Sequence, residues 1–184
     1  PHKQKIVIAG NHDITLQTDY YCEFGNGFHG LFFKNLQFDA LDYSRQCRDV
    51  ITPSSETYTY LEDSGCMISR SGVECENGIS VYGSPWQPEF FNWAYNLPRG
   101  SALKEKWDLI PNDIDVLITH GPPHGILDLS DDGIQCGCTD LLDAVHRVRP
   151  RVHIFGHIHE GYGKMQNSSQ LIILCALTII LIRD

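Results

Sequence analysis

The 184 residues carry 14 Lys and Arg against 23 Asp and Glu, a net charge of −9. That balance argues against a protein that grips the nucleic-acid backbone, which needs a basic face. The length suits one domain with a substantial core. The seven cysteines are odd in number and scattered, with no Cys-x2-Cys pair. They read as reduced thiols of a cytoplasmic protein rather than a disulfide framework. Cys136-Gly137-Cys138 reads as free or buried thiols rather than a metal pair, because no second pair lies near it. The first residue is Pro1, not Met, so a fragment is expected, in which an N-terminal signal could not be seen.

Taken in order, Lys5 to Ala9 reads as a buried parallel strand closed by Gly10. Asp13 is then expected to cap a helix through Ile14-Thr15-Leu16-Gln17. From Thr18 to Thr52, aromatics are mixed with glycine and no period holds, so irregular loop and short helix are expected. Thr57 to Met67 and Gly78 to Tyr82 read as strands, with turns at Ser71-Gly72 and Asn77-Gly78. The stretch from Ser84 to Gly100 is rich in Trp, Phe and Pro. Loops are normally polar, so it either folds onto the core or walls a pocket for a flat ligand. Ser101 is expected to cap a helix through Trp107.

Val116-Leu117-Ile118 is a second buried strand. Thr139-Asp140 opens a helix with Leu141, Leu142, Val145 and Val148 on one face, ending before Pro150. Arg151 to Phe155 is a further strand, with His153 expected as a hydrogen-bonded core residue. Strand and helix alternating through short connections say α/β. Leu171 to Ile182 is apolar apart from Thr178. As a helix it would span roughly 18 Å, short of the ~30 Å hydrocarbon core, so it is not read as a membrane anchor. A strand pair there lacks a turn signal. Asn167-Ser168-Ser169 fits a glycosylation sequon and is read as chance.

Three strand ends carry the chemistry. They are Gly10-Asn11-His12-Asp13, Thr119-His120-Gly121-Pro122-Pro123, and Gly156-His157-Ile158-His159. Asn11, His120, His157 and His159 offer the oxygen and nitrogen donors that suit Zn, Mn or Fe. All would lie beyond the carboxyl ends of strands, where open α/β sheets bind ligands. A pair of such ions can clamp a phosphate. His12, next to a ligand, is placed to protonate a departing alkoxide, a task histidine suits near neutral pH.

These three loops resemble the calcineurin-like metallophosphoesterases. Tyr82-Gly83-Ser84-Pro85-Trp86, Asn96-Leu97-Pro98-Arg99-Gly100 and Phe155 through Gly163 are similar to the metallophosphoesterase domain-containing subgroup of that superfamily. The resemblance runs from about Lys3 to Lys164, so residues 1–165 are expected to form a partial calcineurin-like phosphoesterase domain and residues 166–184 an atypical apolar tail. It implies a four-layer α/β/β/α sandwich, here lacking its first strands. It implies two divalent metal ions and hydrolysis of phosphodiesters, including cyclic nucleotides. Asn11, His120 and His157 would bind the second metal and His159 the first. His12 would contact phosphate and protonate the leaving group, and Asp13 would stand behind the ligands as a helix cap. The subgroup also implies a purine nucleotide as ligand. Trp86 and Arg99, at the ends of the aromatic loop, are candidates for its base pocket.

The family's Asp-x-His and Gly-Asp strand ends do not precede Gly10-Asn11-His12 in these residues. The resemblance therefore implies one well-bound metal in this chain and impaired turnover. Some members of the subgroup have glycine where this chain keeps His157, so the more active type is expected of a chain with all its ligands. Two other readings stand beside the enzyme. One is a catalytically inactive purine-nucleotide-binding module with a scaffold role. The other is a structural zinc site of His120, His157 and His159, disfavoured because such sites usually include Cys.

Overall fold

The computed structural model describes residues 4–31, 38–53, 58–68, 78–166, 171–174 and 179–182. In chain order the elements are β1 (Gln4–Val7), a 3-10 turn (Ile14–Leu16), α1 (Thr18–His29), α2 (Ala40–Ile51), β2 (Thr59–Tyr60), β3 (Ser64–Ile68), β4 (Ile79–Ser84), β5 (Gln87–Pro88), β6 (Asn96–Leu97), α3 (Ser101–Asp108), β7 (Val116–Thr119), α4 (Thr139–Val148), β8 (Val152–Phe155), a second 3-10 turn (His159–Gly161), β9 (Gly163–Gln166), β10 (Leu171–Leu174) and β11 (Ile179–Ile182).

The larger sheet has the order β3-β4-β7-β8-β10-β9, the smaller one β11-β1-β2. In the larger sheet β4, β7, β8 and β10 run parallel, while β3 and β9 pair antiparallel at its edges. Successive residues of a strand face opposite sides, and the cores follow that rule. Tyr82 and Leu117 face one way, into a core with Leu103, Trp107, Ile110, Leu141 and Val145 from α3 and α4. Val81 and Ile118 face the other way and meet Ile6, Ile8 and Leu61 between the sheets. Val7 turns outward to a third core with Tyr20 and Tyr21 of α1, Tyr60 and Tyr95. Helices, sheet, sheet, helices are thus the four layers of the expected α/β/β/α sandwich. The sheets come close at Gly83, where a Cβ would lie 2.7 Å from both Ile8 and Leu61.

Three local expectations change. The stretch read as irregular holds two twelve-residue helices. Glycines hid the first of them, yet Gly25 packs its helix: a Cβ there would lie 2.8 Å from the Tyr21 ring. The second had a readable start, because Asp39 accepts hydrogen bonds from the Leu41 and Asp42 amides at 2.9 and 3.1 Å. Ser101 is the first residue of α3 rather than its cap. Gly100 (φ 93°) precedes it, and the Gly100 amide donates to Asp140 Oδ2 at 3.2 Å. Asp13 makes no side-chain cap to the turn that follows it.

The apolar stretch from Leu171 contributes one strand to each sheet. β10 lies parallel to β8, and β11 antiparallel to β1. The Ser71-Gly72 turn and the sequon at Asn167 lie outside the described residues. Among the described residues no helix is long and apolar enough to cross a membrane.

Candidate metal and phosphate site

A cleft of about 430 Å³ opens where the loops after β1, β7 and β8 meet. Asn11 belongs to the smaller sheet's loop, His120 and His157 to the larger sheet's, so the donors straddle both sheets. Backbone bonds hold the loops together beyond the strands: the His120 amide donates to Ser84 O at 3.2 Å, and the Gly156 amide to His120 O at 2.9 Å.

The first loop closes on itself. The Asp13 amide donates to Gly10 O at 3.0 Å, and the Gly10 amide donates to Asp13 Oδ2 at 2.7 Å. Asp13 therefore fixes the loop that presents Asn11, where the sequence suggested a helix cap. Asn11 Oδ1 accepts from His120 Nε2 at 2.8 Å, and both side chains are buried. His120 Nδ1 is buried with no hydrogen-bond partner. The His157 ring meets the His120 ring with centroids 4.9 Å apart. His12 is exposed, lines the cleft and rests on Trp93 at 4.4 Å.

His157 has φ 74°, and the Ile158 amide donates back to Gly156 O at 2.9 Å. The pair of observations defines a γ-turn with His157 at its centre, a rare and strained conformation. Strain of this kind collects at functional sites.

Burial pushes the His120 imidazole down to about 3, with His157, His12 and His159 adding to it. Burial likewise takes His157 down to about 4, with the neighbouring His159 and His12 next and Glu160 pulling the other way. Both rings are neutral at pH 7, the form a metal requires.

Asn11, His120 and His157 offer donors for one divalent ion. An amide oxygen and imidazole nitrogens are suitable ligands, and the 2.8 Å between Asn11 Oδ1 and His120 Nε2 is near the roughly 3 Å between adjacent ligands about 2.1 Å from one ion. His159 lines the same cleft, but among the described residues no three His, Cys, Asp or Glu stand together to hold a metal.

Two candidates stand away from the cleft lining. Trp86, expected in a base pocket, is packed between two cores. Its Nε1 donates to Asp63 Oδ2 at 2.8 Å, and Lys106 lies 4.3 Å over its ring. Arg99 donates to Gly137 O at 2.6 Å and Cys136 O at 2.9 Å, so it braces a loop that borders the cleft. The aromatic stretch does both things the sequence allowed: Ala94 and Tyr95 are fully buried, while Phe90 lines the cleft.

Ser130, Cys136 and Glu160 line it too, none of them expected in the site. Cys136 arrives because buried Asp128 folds its loop back, accepting from the Gly125 and Gly137 amides at 2.9 and 3.1 Å. Spacing alone carries no signal for that. His153, by contrast, is the hydrogen-bonded core residue expected, its Nε2 3.0 Å from Thr119 Oγ1.

Gly10 is required by contact. A Cβ there would lie 2.5 to 3.0 Å from the His120 ring. Gly10→Ala is expected to displace that ring, weaken metal binding by about tenfold and cost about 1–3 kcal/mol of stability. Metal titration and urea unfolding check it, and an unchanged metal affinity would refute it.

A family model described as calcineurin-like phosphoesterase matches residues 1–161. Metallophosphoesterase domain-containing protein 1 of Homo sapiens is 42% identical over 172 residues, 92% of this chain and 48% of that protein. UPF0046 protein T07D4.2 of Caenorhabditis elegans is 36% identical over 182 residues, 96% of this chain and 43% of that protein. The chain thus spans about half the length of these relatives.

Proposed function

This chain belongs to the calcineurin-like phosphoesterase family, whose members generally use divalent metal ions, and we propose that it is a metal-dependent phosphoesterase acting on phosphodiesters, cyclic nucleotides among them. The observation that carries this reading is the meeting of Asn11, His120 and His157 in one cleft with His12 exposed beside them. Asn11, His120 and His157 would hold the ion, Mn, Fe or Zn by donor type, and His159 would reach for a second; when bound, metal supplies Lewis acidity to a phosphate oxygen.

The chain's own groups do the rest. Asp13 keeps the Asn11 loop closed through the Gly10 amide. Trp93 supports one side of the His12 ring. The exposed imidazole of His12 donates a proton to the departing alkoxide. We place the protein in the cytoplasm. Five described cysteines are free, which accords with a reducing compartment.

A second reading is a binding module that holds a purine nucleotide without turning it over. The absence, among the described residues, of three grouped His, Cys, Asp or Glu favours it.

Turnover of a purine cyclic nucleotide, whose leaving group is a ribose alkoxide, in Mn²⁺ separates the two. The enzyme reading expects measurable hydrolysis that falls by about 10²–10⁴-fold in His12→Ala. Purine-nucleotide binding unaffected by chelator, with no hydrolysis, assigns the module instead.

A further inference from the structure

One wall of the cleft is an aromatic ring held out of the core. Phe90 lines the cleft and is 44% exposed, and its neighbour Phe91 is 80% exposed. Large apolar rings are normally inside. The Phe90 ring meets His157 edge-on, centroids 5.2 Å apart, and Phe91 meets Phe90 at 4.6 Å and 78°.

The turn that carries them is pinned. Asn96 Nδ2 donates to Phe90 O at 3.0 Å and to Phe91 O at 2.9 Å. Asn96 Oδ1 in turn accepts from Gln87 Nε2 at 2.9 Å, and Gln87 is buried. Phe91 is held at φ 50°, a conformation bulky residues rarely adopt. A loop free to move would relax that residue and fold both rings inward. Here the hydrogen bonds of one amide hold them at the site's mouth.

We propose that Phe90 is a specificity-determining residue, stacking a flat aromatic ring borne on the phosphate ester, with Phe91 bracing it edge-on. This rests on the phosphoesterase reading of the same cleft. Phe90 touches a donor ring, so the first group beyond a phosphate at Asn11, His120 and His157 falls against it. A flat ring gains more from that face than an aliphatic group of equal size, because ring pairs attract beyond the area they bury. A pinned ring also loses little freedom on binding.

Binding of phenyl phosphate and cyclohexyl phosphate to the 184-residue chain in Mn²⁺, by isothermal titration calorimetry, tests it. The two probes match in charge and size. The expected result is a preference of about tenfold for phenyl phosphate, within the range measured for ring stacking. Phe90→Leu, which keeps apolar bulk, should bring the preference to near one, and Phe90→Tyr should keep it. Equal affinities in the unaltered chain, or a preference that survives Phe90→Leu, overturns the inference alone. No binding of either probe overturns the phosphoesterase reading and this inference with it.

Discussion

His157→Gly is expected to bind divalent metal at least about 100-fold more weakly, and yet to be more stable than His157→Ala. Altering groups that merely support a ligand costs 10- to 100-fold in metal affinity, and removing a ligand costs no less. The stability difference has a separate origin. His157 sits at φ 74° in a γ-turn closed by the Ile158 amide. For a residue with a Cβ that region costs roughly 1–2 kcal/mol, which glycine escapes.

The two variants lose the same imidazole, with its contacts to His120 and Phe90. They differ chiefly in that strain. Glycine should lead alanine by about 1 kcal/mol, net of its greater unfolded-state entropy. Urea midpoints in EDTA measure the difference, and Mn²⁺ titration the affinity. Alanine equal to glycine in stability would mean that the turn stores no strain. A glycine lead of that size would show that the site holds its histidine at the expense of backbone comfort, as strained functional residues do.

The metal-free chain is also expected to lose several kcal/mol of stability between about pH 6.5 and pH 4. Burial first, then neighbouring histidines, hold His120 at about 3 and His157 at about 4. Burial alone holds His153 at about 3. Unfolded histidine titrates near 6.5. As pH falls through 6.5 the unfolded chain takes up protons that the folded chain refuses. Stability is therefore full above about 6.5 and is lost on the way down to the folded values. The loss approaches about 1.4 kcal/mol per pH unit for each histidine.

Carboxylates act later. Asp115, whose carboxyl is held below its usual range first by the Ser80 amide, matters only below the ordinary carboxylate range. His153 isolates the effect. Thr119 Oγ1 donates to Gly121 O at 2.7 Å, so His153 Nε2 must be the donor to that oxygen, leaving buried Nδ1 without a partner. His153→Gln can keep the donor and cannot titrate. It should flatten the urea-midpoint-against-pH slope relative to the unaltered chain. An identical slope would show that His153 accepts its proton inside the fold.

How far the residues announced these features varies by kind. Asn11, His120, His157 and His159 stood out because each follows a short apolar run and precedes a turn. Both signals are local. Trp86 and Arg99 are of types that suit a base pocket, whereas their partners are distant. Asp63 takes the indole of Trp86, and the carbonyls of Cys136 and Gly137 take Arg99. The helix at Thr18–His29 was hidden by Gly25 and Gly27, which propensity penalises. Tertiary packing overrides that penalty where Gly25 makes room for Tyr21.

The amino-acid order by itself determined the donors, the strands that carry them and the α/β class, since periodicity and turn chemistry act over a few residues. The tertiary structure decided which sheet each strand joins, and so that Asn11 reaches His120 across two sheets. It also decided that Leu171–Leu174 and Ile179–Ile182 go to different sheets, that Phe90 alone of its loop's phenylalanines walls the cleft, and that His157 bends backward to face it. Those outcomes depend on pairings between residues far apart in the chain, which no local pattern encodes.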